Sequence, residues 1–479
     1  MTVLHPISFS QNAARFSDAG TRFAQQLAVT TVILFVCLCL LAPGLNLGNN
    51  IFTLKAEVFF LPVVMAIYTW LLLGGYVSLI RFNSMMLVGS LFCLCICLSL
   101  SYGSMVLGHP FLLRDAYELP KACLPVLFFT IGLEANLGEK SLRLVFDFLA
   151  GCLLLVCGYA CAQFFRLPFA HSFDRLYTAG EHVDWTLKAL NRVYSTMGNP
   201  NVLGQLMDWS IAAFLLALFL GVGSRLRNIL VLGACFVTLA MTASRYGMLG
   251  AVLELVLVLA LFLPSFRNRK RVFQLALLTL SLPLFLLIFR FVEGSTSGVS
   301  QRFEELRHPL QVDSLRTRLD VVWQDALAFI ATSPWLGHGP AKEVFSTVVT
   351  DSEYLDVLKQ FGAIGFLPYL AYFFVPLALV FRGLRAVWFS KDRLAEQFPA
   401  ASLVVHFAFV MAFTALFMNV GESTMRNAPL QGFLWLWLGL GASAASALHQ
   451  QCVLCVTFRD SLLHGANHGS RRVVEEARS

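Results

Sequence analysis

The sequence predicts an all-α, polytopic membrane protein with about twelve transmembrane helices and one large, partly helical outer loop between spans 9 and 10. Three observations predict this class. Hydrophobic residues make up 57% of the 479 positions and charged residues only 13%, against about 25% charged in soluble globular chains. Mean hydropathy is +0.71. Apolar runs near the ~20 residues that cross a bilayer recur along the whole chain.

Residues 1–26 form a polar N-terminus with Asn12, Arg15, Asp18 and Arg22 and no separate short apolar core. The first span is therefore expected to be its own insertion signal. Spans are expected at 27–46, 58–80, 85–107, 118–136, 142–164, 204–222, 228–243, 247–265, 273–292, 361–381, 401–420 and 429–449. The domain reading follows. Residues 27–292 hold spans 1–9 with an outer loop at 165–203, residues 293–360 form the large outer loop, residues 361–449 hold spans 10–12, and 450–479 is a polar, frayed tail.

Charge in the short loops sets the orientation. One set carries Arg81, Lys140, Arg143, Arg225, Arg227, Arg267, Arg269, Lys270, Arg271, Arg382, Arg385, Lys391 and Arg393. The opposite set carries Lys55, Arg114, Arg245 and Arg426. The positive-inside rule places the first set and both termini in the cytoplasm. The net charge of +7 then reflects orientation rather than a nucleic-acid partner. The twelve cysteines lie mostly in apolar runs, where they act as small apolar residues. Cys452 and Cys455 form a lone CxxC with no second pair to complete a metal site.

The two long loops are basic although they face outside. One holds Arg166, Arg175, Lys188 and Arg192; the other holds Arg302, Arg307, Arg316, Arg318, Lys342 and Lys359. Long loops translocate largely regardless of charge, or these arginines bind an anion. Residues 314–332 place Leu315, Leu319, Val322, Trp323, Ala326 and Ile330 at helical spacing. Asp313 or Ser314 serves as N-cap, and Pro334 closes the segment. This predicts an amphipathic helix on the membrane or on the bundle, with Arg316, Asp320 and Arg318 on its polar face. The loop ends with Asp351, Glu353, Tyr354 and Asp356, then Gly362 and Gly365 at the start of the next span.

Asn199–Pro200–Asn201 sits where the first outer loop enters a span, and turn chemistry alone accommodates it. Ser244–Arg245–Tyr246–Gly247 is a tight outer turn, whose arginine faces the bundle or snorkels to headgroups. Ionisable groups inside spans are costly and default to functional hypotheses. Asp208 reads as lining the site; Glu254 reads either as functional or as a polar contact between helices; Asp147 and His406 are embedded too.

These pieces together resemble the bacterial O-antigen ligase and polysaccharide polymerase superfamily. Met197–Gly198–Asn199–Pro200–Asn201 resembles its GNPN motif, and Thr242–Ala243–Ser244–Arg245–Tyr246–Gly247 its SRG turn. Trp323 to Gly339, with Tyr354–Leu355 and Phe361–Gly362–Ala363–Ile364–Gly365, resembles its large periplasmic loop and following span. The blocks extend over roughly residues 190–380; the first five spans add only hydropathy.

The resemblance implies a GT-C-like membrane glycosyltransferase in the bacterial inner membrane with a periplasmic active site. It implies inverting transfer of a glycan from undecaprenyl diphosphate, with no metal and no cofactor. Partners are then the lipid-linked donor, a glycan or lipid-linked acceptor, the bilayer and a chain-length regulator. With no metal, arginine neutralises the leaving diphosphate through a permanent charge and a planar fork of donors. This assigns Arg245, Arg192 and one of Arg316 and Arg318 to the diphosphate, with Asn199, Asn201, Tyr354 and Asp208 lining the substrate.

The sequence departs from the family where a ligase carries His in an HN-x-YL motif. Here the segment reads Asp351–Ser352–Glu353–Tyr354–Leu355. A carboxylate serves as general base if it reaches the hydroxyl proton, so Asp351 and Glu353 are the expected catalytic residues. The substitution favours a polymerase of lipid-linked repeat units for O-antigen, capsule or exopolysaccharide. The alternatives are a ligase acting on lipid A–core or protein, and a transporter of lipid-linked sugar. A transporter predicts repeated halves and midplane breaks, whereas the charges here gather at one face.

Overall fold

The computed structural model describes residues 18–42, 44–46, 53–55, 83–177, 192–262, 317–341, 344–346, 350–390, 393–421 and 427–476. The principal helices are α1 (Asp18–Leu41), α2 (Ser84–Met105), α3 (Glu118–Glu134), α4 (Glu139–Phe164), α5 (Pro168–Tyr177), α6 (Pro200–Leu220), α7 (Arg225–Thr242), α8 (Arg245–Phe262), α9 (Trp323–Thr332), α10 (Glu353–Phe389), α11 (Pro399–Met418) and α12 (Ala428–Glu476). A three-residue antiparallel ribbon pairs Gly44–Asn46 with Thr53–Lys55.

Among the described residues seven helices are long and apolar enough to cross a membrane: α2, α4, α6, α7, α8, α10 and α11. The chain is a multi-pass helical membrane protein, and the expected number of twelve spans is not reached among these residues. The spans expected at 58–80 and 273–292 lie outside them, as do 293–316, including Arg316 and both expected caps of the loop helix. Boundaries differ from the sequence reading at several places, the first being the span expected at 27–46, which is helical only to Leu41, with Gly44–Asn46 in a strand. The span expected at 361–381 begins at a break at Gly362 and runs on to Phe389, and a further helical stretch from Glu353 precedes the break. The tail expected to fray continues as helix to Glu476.

Local sequence explains where helices begin and which face they bury. The Asn83 side chain accepts from the Met86 N–H at 2.8 Å and caps α2. Along α2, Met85, Val88, Phe92, Ile96 and Ser99 are buried, while Leu87, Leu91, Leu94 and Leu98 on the other side are exposed, as a lipid-facing helix requires. Helix α6 is apolar all round, and its residues from Val202 to Ala217 are buried, so it is the inner post of the bundle. Close crossing of α3 and α12 rests on Gly132 and Gly439, where a Cβ would strike the partner backbone.

Specific contacts gather helix ends at two poles. At one pole Glu139 at the start of α4 accepts from the Ala400 N–H at 2.8 Å and the Ala401 N–H at 3.1 Å, neutralising the orphan donors of α11. Asp147, expected to be embedded, is half-exposed and ion-paired with Arg227. The other pole collects the end of α2, the starts of α3, α6, α8 and α10, the ends of α7 and α11, and α9.

Candidate functional site

The outer-loop helix is fastened to a break in α10. Gly362 has φ +62° and ψ −170°, which stops helical hydrogen bonding there. The carbonyls of Lys359 and Gln360 and the N–H groups of Ala363 and Ile364 would otherwise lack partners. The Pro334–Gly339 turn supplies them. His338 N–H donates to Lys359 O at 3.0 Å and Gly339 N–H to Gln360 O at 2.8 Å, while Ala363 N–H donates to Pro334 O at 2.9 Å and Ile364 N–H to Trp335 O at 3.1 Å. Non-helical backbone near a membrane needs such replacement bonds. Gly337, at φ +66°, and Gly362 have each other's backbone where a Cβ would stand.

The amphipathic helix expected over 314–332 is described from Thr317 onward. It opens with one π turn, Arg318–Val322, before α9. Arg318 Nε lies 2.8 Å from Asp351 Oδ2. Its Nη1 donates to the Tyr246 hydroxyl at 2.9 Å, and the guanidinium stands 5.3 Å from the Tyr246 ring centroid. Tyr246 in turn packs on Gly421, at the end of α11. Of the two arginines left open by sequence, Arg318 is the one seen against Asp351.

The α7–α8 turn is built from its own polar side chains. Ala243 takes a left-handed conformation. Ser244 N–H donates to Thr242 Oγ1 at 3.1 Å, and Gly247 N–H donates to Ser244 Oγ at 3.2 Å, capping α8. Arg245 is thus the first residue of α8, half-buried, next in sequence to the tyrosine that holds Arg318.

Arg192 is buried and ties two helix ends together. Its Nε donates to Thr242 O at 2.8 Å and its Nη2 to Asn201 Oδ1 at 2.7 Å. Asn199 caps α6 by accepting from the Asn201 N–H at 2.8 Å, with Pro200 at the first helical position and Gly198 in the left-handed region. Arg192, Asn199 and Asn201 therefore hold the α6 and α7 ends in register.

The start of α10 is a buried polar cluster. Ser352 caps the helix, and Glu353 and Asp356 in its first turn are buried. Glu353 N–H donates to Asn419 O at 3.0 Å. The Tyr354 hydroxyl, expected to meet substrate, donates to the Leu416 carbonyl. Lys359, 2% exposed, pairs with Asp356 Oδ1 at 3.0 Å and stands 4.3 Å from the Phe345 ring centroid. On α3, Lys121 pairs with Glu118 at 3.2 Å.

His338, in the loop turn, has its Nδ1 3.2 Å from His109 Nε2 and its Nε2 3.1 Å from Phe329 O. Burial pushes its imidazole below the ordinary histidine value; the Phe329 carbonyl opposes this and His109 adds to it.

Asp208, expected to line the site, is fully buried within the bundle, its carboxyl against Gly250 of α8. It lies a little over two turns into α6, on the face that α8 covers. Sequence reading also missed residues. Lys121 and Glu118 pass as the polar edge of a span, and only their i,i+3 spacing beside an outer end signals a pair. Tyr246 passes as filler in the Ser–Arg–Tyr–Gly turn, although an aromatic beside an arginine-rich loop is a cation–π signal.

Residues 229–370, from α7 to the middle of α10, match the family model described as O-antigen ligase. The match takes in the α7–α8 turn, α9 and the α10 break, and it supports the resemblance to the O-antigen ligase and polymerase superfamily. It supports a multi-pass membrane enzyme of the ligase or polymerase type. No curated protein matches the chain.

Proposed function

We propose that this chain is a polymerase of undecaprenyl-diphosphate-linked repeat units, making O-antigen, capsule or exopolysaccharide at the periplasmic face of the inner membrane. The observation that carries the reading is the Arg318–Asp351 ion pair seated on Tyr246. It joins the outer loop, the start of α10 and the Arg245 turn, which are the three parts that such a transfer needs.

In the proposed step a hydroxyl oxygen of the incoming unit attacks the anomeric carbon of the growing chain. The bond from that carbon to the diphosphate oxygen breaks, and undecaprenyl diphosphate leaves with the electron pair. The hydroxyl proton passes to a carboxylate. Asp351 is 45% exposed, so substrate reaches it, and Arg318 engages its Oδ2 and fixes its orientation. Glu353 stands behind it, buried, as the second candidate. Arg245 faces the leaving diphosphate, where fixed positive charge lowers the barrier as an oxyanion hole does. No metal is required, and both termini are cytoplasmic. The family's description favours one other reading, a ligase that moves finished glycan onto lipid A–core or protein; Asp351 in place of the ligase histidine favours the polymerase.

Asp351→Asn tests the step, because it keeps the shape and removes the base. General-base catalysis contributes about 10²–10⁴ in rate, so the variant should leave single repeat units and no long ladder while still binding the lipid-linked donor. Long carrier-linked chains with no transfer to lipid A–core would identify a ligase. Full activity would remove Asp351 from the mechanism.

A further inference from the structure

Helix α5 turns its polar side inward and its apolar side out. Phe169, Phe173 and Leu176 share one stripe at i, i+4 and i+7 and are 54%, 50% and 43% exposed. On the inward side Ala170 and Asp174 are buried. There Asp174 Oδ1 accepts from Gln163 Nε2 at 2.7 Å and from the Tyr159 hydroxyl at 3.0 Å. A helix that faces water carries these roles the other way round. The apolar side continues onto α4, where Phe165, Leu167, Leu154 and Leu155 are exposed as well. Helix α4 has 26 residues. At 1.5 Å per residue it is about 39 Å long, more than the ~30 Å hydrocarbon layer, so its end stands at headgroup level. At that end Arg166 takes a left-handed conformation, φ +53°. Leu167 N–H donates to Ala162 O at 2.9 Å, a Schellman-type stop that lets the chain leave the α4 axis. The far end of α5 is tied to the end of α1, where the Tyr177 hydroxyl donates to Leu41 O at 3.0 Å. Held at both ends by the ends of other helices, α5 lies along the membrane boundary rather than across it.

We propose that α5 is an interfacial helix docked on the bilayer, with Phe169, Phe173 and Leu176 set into the boundary between headgroups and acyl chains. The occupant of this surface is phospholipid, because the exposed stripe is continuous with the lipid-facing side of α4, a membrane-crossing helix. Arg166, exposed in the corner between the two helices, stands where a guanidinium meets lipid phosphate. The proposal does not depend on which glycan the protein handles. It does connect the bilayer to the candidate site. Gln163, whose side-chain nitrogen holds Asp174, accepts through Oε1 from Ser195 N–H at 2.7 Å and Tyr194 N–H at 3.3 Å. These two residues lie between Arg192 and the start of α6, so the lipid-docked helix is fastened to the segment that carries Arg192.

Depth-dependent quenching tests the docking. The full-length protein carries one fluorescent residue, Phe173→dansylalanine, and is reconstituted in vesicles of phosphatidylethanolamine and phosphatidylglycerol. Leu155→dansylalanine, about 14 Å below the end of α4, is the deep comparison. The Phe173 variant should emit in the blue. Phospholipid brominated near the carboxyl end of its chains should quench it more strongly than phospholipid brominated near the methyl end. The Leu155 variant should favour the deeper bromines. Adding Phe169→Asp to the Phe173 variant places a charge in the stripe; emission should shift to the red and become accessible to aqueous iodide. Red emission quenched by iodide without that charge overturns the proposal, because the stripe then faces water. Blue emission that neither brominated lipid quenches also overturns it, and identifies a second copy of the chain as the occupant. Strongest quenching by the deep bromines overturns the interfacial placement. If the Phe169→Asp protein fails to accumulate, the order of quenching in the Phe173 variant decides.

Discussion

Arg318→Ala should cost turnover through the loss of three contacts made by one guanidinium. The ion pair to Asp351 is partly exposed, with side chains 23% and 45% accessible, so it contributes at most about 1 kcal/mol. The bond to the Tyr246 hydroxyl at 2.9 Å contributes about 1 kcal/mol. The guanidinium over the same ring adds about 0.5 kcal/mol. The contacts share one group and do not add fully, so a loss of about 2 kcal/mol is expected, or roughly 30-fold in the docking equilibrium constant. The measurement is the initial rate of ladder formation from extracted lipid-linked units in liposomes. Arg318→Lys should fall between wild type and Ala, because a point charge keeps the ion pair but not the planar fork. A double-mutant cycle with Asp351→Asn isolates the pair, and the expected coupling is about 0.5–1.5 kcal/mol. Arg318→Ala within about twofold of wild type, with no coupling to Asp351, would refute the argument that this pair joins the loop to the site.

Arg245→Ala should abolish transfer while the protein still inserts and accumulates, with Lys rescuing only partly; normal glycan in the Ala variant reduces Arg245 to a headgroup anchor. Gly362→Ala places a Cβ against the Trp335 carbonyl in a left-handed conformation, at a cost of about 1–3 kcal/mol. Limited proteolysis should then cut near Trp335 while helix content by circular dichroism is unchanged, and an uncut loop contradicts the docking role of the break. For His338 the folded value is depressed by burial, so released loop binds the proton first. Docking is strongest above the ordinary histidine value of about 6.5 and weakens as pH falls below it. Protease sensitivity of the loop should rise over that window in wild type and stay flat in His338→Gln.

The parts legible in the sequence are those governed by local chemistry. Gly198, Asn199 and Pro200 specify a helix start, and α6 begins there. Thr242 to Gly247 specify a tight turn, and its hydroxyls make it. Apolar periodicity located α2, α3, α4, α6, α7, α8 and α11 within a few residues. Long-range pairing was not legible. Nothing in residues 334–339 announces that their carbonyls and N–H groups complete a broken helix more than twenty positions on; only Gly362, read as an opening to a span, hinted that the backbone changes course there. The full burial of Asp208 was not legible for the same reason. Its depth along α6 follows from the 1.5 Å rise per residue, but which face α8 covers depends on how Gly204 and Gly247 let the two backbones approach. Two glycines remove the bulk that would have kept a cleft open, so the carboxyl that sequence placed at a site is sealed inside the bundle. The expected site residues seen in contact, Arg318 and Asp351, lie instead on the loop and at a helix end.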